Sequence, residues 1–113
     1  MSAWRERTKA AFERELALGR ARFDAGDLDG AFAHFERAHI LGQRRTVAHV
    51  RAHWWMLRVG RARRDAREVR GQWLRIVAAA TKLRIRVPLG NTGGADVDPL
   101  KPMAVPEDLR ELL

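Results

Sequence analysis

Between Trp4 and Ala80, apolar side chains return every three or four residues, and short runs of glycine, aspartate and arginine interrupt that rhythm at three places. A period near 3.6 sustained over segments this long specifies amphipathic helices with one buried face. The first helix runs from a Ser2 cap to about Phe23 and turns Trp4, Phe12, Leu16, Gly19 and Phe23 to one side. Asp24-Ala25-Gly26-Asp27 stops it, and Asp27 caps the second helix, Leu28–Leu41. Leu28, Ala31, Phe35 and Ala38 are that helix's buried stripe, and Gly42 closes it. Thr46 is the expected cap of a third helix that ends near Arg63 and carries Val47, Val50, Trp54 and Leu57 inward. Asp65 and Glu68 have the spacing of a capping box for a fourth helix, burying Val69, Trp73, Ile76, Val77 and Ala80.

Beyond Leu83 the pattern changes. Leu83-Arg84-Ile85-Arg86-Val87 alternates like a short strand or prolongs the fourth helix, and Pro88 ends it. Residues 88–106 read as a loop in which Asn91 and Gly93-Gly94 make turns that fold the tail back over the helices. The glycines there expose backbone amides, but the lysine and the following helix of a phosphate-binding loop are missing. Pro106 at a first helical position, with Glu107 and Asp108 after it, starts a last short helix. The predicted fold is all-α: two stacked antiparallel helical hairpins over residues 1–83, and an irregular tail over 84–113 packed on them and ending in a short helix. At 113 residues there is material for one modest core.

All four histidines fall in the stretch AHFERAHILGQRRTVAHVRAHWWML. Glu36 and His39 are three apart on the second helix, and His49 and His53 are four apart on the third, so each pair shares a helical face. With the intervening turn centred near Arg44, His39 is level with His49, and Glu36 with His53. Three imidazoles and a carboxylate between two helices suit a divalent transition metal: zinc, iron, copper or nickel. Glu36 is then a fourth ligand, or the partner that orients one imidazole. The alternative is a polar helix interface in which the same groups hydrogen-bond to one another. His34 points to another face and reads as exposed. Glu-x-x-His is also the spacing of di-metal bundles, but Glu13, Glu15 and Glu68 do not repeat the motif, which favours a single ion. A nucleophile-based enzyme is disfavoured: Ser2 is the only serine, and there is no cysteine or tyrosine. Any enzymatic activity would be metal-dependent.

The net charge of +8 is carried almost entirely by arginine, since Lys9, Lys82 and Lys101 are the only lysines. Spread along the chain, these arginines form a solvated basic surface or meet an acidic protein or peptide. A weaker option is nucleic acid, through the basic run Arg58–Arg75 with Trp73 beside it. Trp54 and Trp55 cannot both face one core, which points to contact with the tail or with a second copy in a homodimer. No segment has the apolar length of a membrane span, and the start MSAWRERTKAAF lacks the apolar core of a signal peptide. Those features read as a cytoplasmic protein.

Leu18-Gly19, Ala31, Phe35 and Ala38 match the small and aromatic packing positions of the tetratricopeptide repeat, which the first hairpin resembles. Glu15, Arg22 and Gln43 depart from it where the repeat has tryptophan, an aromatic residue and proline. Such a resemblance implies a protein-interaction module, here one for an acidic partner. The stretches FAHFERAHILGQ, HVRAHWWMLRVG and PLGNTGGADV are similar to a short bacterial protein family of unknown function. That resemblance implies a helical cytoplasmic protein and supplies no activity.

Overall fold

A computed structural model describes residues 5–80, 91–95, 97 and 101–113. Its helices are α1 (Glu6–Asp24), α2 (Leu28–Gly42), α3 (Thr46–Ala62), α4 (Ala66–Ala80) and α5 (Glu107–Arg110), with no strand among the described residues. Each of the first four packs on the next, α1 on α2, α2 on α3 and α3 on α4, giving the two stacked antiparallel hairpins. The Ser2 cap and Trp4, like the alternating segment 83–87, lie outside the described residues.

Local chemistry explains the breaks. Asp27 caps α2 by accepting from the Gly30 amide at 2.9 Å, a bond worth about 1 kcal/mol at a helix start. Asp27→Ala is expected to lower the unfolding free energy by that amount, read as a lower midpoint of urea unfolding. An unchanged midpoint would mean that packing alone holds the α1–α2 turn. At the α3–α4 turn, Asp65 Oδ1 accepts from the Glu68 amide at 3.1 Å. Only this half of the expected capping box is seen among the described bonds, because the Glu68 carboxylate is buried and bonded elsewhere. Thr46 is the first helical residue of α3 and not its cap, a position held by Arg45. Pro106 likewise stands one place before the first residue of α5.

Phe12 and Leu16 of α1 meet Ala31, Phe35 and Ala38 of α2 in the core, with Ala48, Ala52, Met56 and Val59 added from α3. With Gln43 after it as the cap, Gly42 is the last residue of α2. A Cβ there would lie 2.8 Å from Ala48 Cβ and 2.9 Å from the Phe12 ring, so the missing side chain lets three helices meet. Two stripes expected to face inward do so only in part, with Leu57 buried as expected. On α3, Val47 and Trp54 are exposed, and the buried line runs through Ala48, His49, Ala52, His53 and Met56. Trp55 takes the place expected of Trp54: it stacks on Phe35 at 5.6 Å, with Phe23 edge-on to it. On α4, Trp73 and Val77 are exposed while Glu68, Gln72 and Ala79 are buried, so its inner stripe is largely polar. The C-terminal residues close over the other end. Leu109 is buried in the core, Thr8 donates to the Leu112 carbonyl, and Arg37 pairs with Asp108.

Candidate metal centre

Gly42 lies close against Ala48 where α2 meets α3, and farther along the pair the His39 ring meets both His49 and His53. The three histidines come together, 1%, 6% and 1% exposed, with one potential ligand atom from each within 4.8 Å of the others. Their ring centroids are 4.6–4.9 Å apart. Glu36 is half-buried on the same helix and is not a member of this group.

Hydrogen bonds orient two of the rings. His39 Nδ1 is 2.8 Å from the Asn91 carbonyl oxygen, which can only accept, so Nδ1 carries the proton and Nε2 the lone pair. Gln72 Nε2 donates to the Gly93 carbonyl at 2.9 Å and to Glu68 Oε2 at 2.6 Å. That fixes the amide so that Gln72 Oε1 faces His53 Nδ1 at 2.6 Å, and His53 donates to it. His53 Nε2 is then a lone pair, receiving the His49 Nε2 proton across 2.9 Å. Imidazoles whose Nδ1–H groups are tied back to oxygen acceptors, with Nε2 turned to a shared point, have the arrangement that metal-binding histidines adopt.

Burial keeps His39 and His53 neutral. Desolvation, followed by repulsion from His53 and His49, pushes His39 well below the usual imidazole range despite the Asn91 bond. Desolvation, then His49, moves His53 down to about 3. The Arg75 guanidinium, held by the carbonyls of Gly71 and Val97, adds to both effects. Neutral imidazole is the ligand form, so no proton need leave His39 or His53 before an ion binds near neutrality.

Residues 91–95 form the third wall. Asn91 Oδ1 accepts from the Gly93 amide at 2.9 Å in a tight turn, and Asn91 Nδ2 donates to the Lys101 carbonyl at 2.8 Å. The Ala95 amide donates to Glu68 Oε2 at 3.1 Å. Gly93 has φ +83°, and a Cβ there would lie 2.7–2.9 Å from Cδ2, Nε2 and Cγ of His39, against the face of the ring, so the missing side chain lets this turn pack on the imidazole. These residues do fold as turns over the helices. His34, expected to be exposed, is half-buried and bonds Glu15 at 2.8 Å.

Gln72 was not legible as part of the site. The available signal was the polar series Glu68, Gln72, Arg75 at helical spacing, hidden by the stronger apolar series of Val69, Trp73 and Ile76. Gln72→Leu removes the acceptor that orients His53 and is expected to weaken metal binding by about 10–100-fold. Competition against a chromophoric chelator measures this, and an unchanged affinity would remove Gln72 from the account.

No helix among the described residues is long and apolar enough to cross a membrane. The chain belongs to a family described as protein of unknown function (DUF3703), which matches it over residues 6–113. No curated protein and no solved structure matches it.

Proposed function

We propose that this protein binds one divalent transition metal ion through Nε2 of His39, His49 and His53, and that it serves in metal sensing, storage or handling. The observation that carries this reading is the burial of three imidazoles around one point, two with their Nδ1–H groups tied back to oxygen acceptors. Imidazole donors suit zinc, copper, nickel and iron. Glu36 stays outside the proposed ligand set, and water or a ligand from outside the chain completes the coordination shell. The enclosure of the site favours holding an ion over acting on an organic substrate. Binding puts the metal where the His49 proton lay between His49 and His53, and that proton moves to His49 Nδ1, so the ring stays neutral.

Elemental analysis of tag-free protein, after equilibration with each metal in turn and exhaustive dialysis, tests the proposal. About one ion per chain is expected, absent from a His49→Ala/His53→Ala variant. Wild-type protein that retains none of the four metals would refute it.

A further inference from the structure

The net charge is not spread in the way the arginines are. Residues 1–43 carry seven basic and seven acidic side chains, and residues 81–113 carry five of each. Residues 44–80 carry ten arginines against Asp65 and Glu68, so the second hairpin and the turn before it hold the whole net charge of +8. Glu68 is buried, which leaves Asp65 as the only exposed acid of that region.

The outer face of this hairpin is divided along its length. On α3, Val47, Trp54 and Arg61 follow one another at seven-residue spacing and share a face. On α4, Arg67, Arg70, Leu74 and Val77 do the same, with Trp73 beside them. The helices are antiparallel and Trp54 meets Trp73 edge-on at 6.2 Å, so the two apolar halves lie side by side and the two basic halves lie together near the turn. The apolar half is open: Trp54 is 42%, Trp73 49%, Leu74 71% and Val77 52% exposed. Arg61, Arg67 and Arg70 are exposed and hold no ion pair with any described residue.

We propose that this face docks a segment of a partner protein that is acidic over one half of its length and apolar over the other. Open tryptophans beside unpaired arginines are the residue types that dominate protein-binding energetics. Charge complementarity selects the partner's sign. A second copy of this face offers no acidic half to match the basic one, since Asp65 is the only exposed acid of residues 44–80. Nucleic acid is charged along its whole length, whereas half of this face is aliphatic and indole. The two indoles also stand at 73°, not as the parallel platforms that successive bases stack on. A membrane would require the apolar half to lead, but exposed Arg44 lies just before α3 at that end.

Fluorescence anisotropy of the full chain with labelled 18-residue probes tests this. One probe has an Asp/Glu half and a Leu/Trp half, made in both orders; the second scrambles the same residues; the third is oligoglutamate. A bipartite probe is expected to bind at least tenfold more tightly than the scrambled one. R67E/R70E and Trp54→Ala/Trp73→Ala should each cost tenfold or more, with circular dichroism and metal content unchanged. Oligothymidylate and vesicles containing phosphatidylserine are the competing probes. Tighter binding to either of them, equal binding of bipartite and scrambled probes, or no peptide binding would overturn the proposal. Because metal content is read on the same samples, failure here is distinct from failure of the metal centre.

Discussion

His53→Ala is expected to abolish tight metal binding. Its ring is the hub of the cluster: it lies 4.6 Å from each of the other two imidazoles, and its Nδ1 is held by Gln72. Loss of an orienting partner alone weakens metal sites by about 10–100-fold, so loss of the ligand itself should exceed about 100-fold. The same change leaves Gln72 Oε1 buried without its donor, at a cost of about 1–3 kcal/mol to the metal-free protein. The diagnostic quantity is therefore the metal-induced shift in unfolding midpoint, measured within each variant. Wild-type protein at a free metal concentration of 100 times Kd should gain about 2.7 kcal/mol, and the variant nothing. An equal gain in both would place the metal elsewhere.

The second large effect is on pH dependence. His53 has its folded pKa pushed down to about 3, against about 6.5 in an unfolded chain, and His39 moves in the same direction. Between those values the unfolded chain binds more protons, so stability rises with pH. The contribution is fully present above about pH 6.5 and is lost as pH falls toward 3. Well below pH 6.5 each such histidine contributes a slope approaching about 1.4 kcal/mol per pH unit, so His53 alone should remove about 2 kcal/mol between pH 6.5 and 4.5. Urea titrations of the metal-free protein in that interval should show this loss, with a shallower slope in His53→Ala. A flat profile from pH 6.5 to 5, where few carboxylates titrate, would mean that these rings are not buried as neutral groups.

The all-helical fold and its hairpin order were legible because Asp27 and Asp65 mark helix starts by chemistry that survives tertiary context. Hydrophobicity alone, as the guide to the inner face, misplaces part of two buried stripes. Along α3 and α4 the histidines, Gln72 and Glu68 occupy that face, and Trp54 and Trp73 are displaced outward. His39, His49 and His53 could be grouped from spacing alone. Spacing alone does not place Glu36, which shares a helical face with His39 yet is not in the histidine group. Asn91 and Gly93 read as turn residues, which they are, but their carbonyls' bonds to His39 and Gln72 are long-range and leave no periodic trace in the sequence.

Long-range proton–nitrogen correlation spectra of the imidazoles, recorded before and after one equivalent of zinc, test the centre most directly. The account predicts Nδ1–H tautomers for His39 and His53 without metal. On addition of zinc, the Nε2 resonances of His39, His49 and His53 should shift together while His34, bonded to Glu15, stays in place. Unmoved Nε2 signals, or a shift confined to His34, would contradict the three-histidine centre.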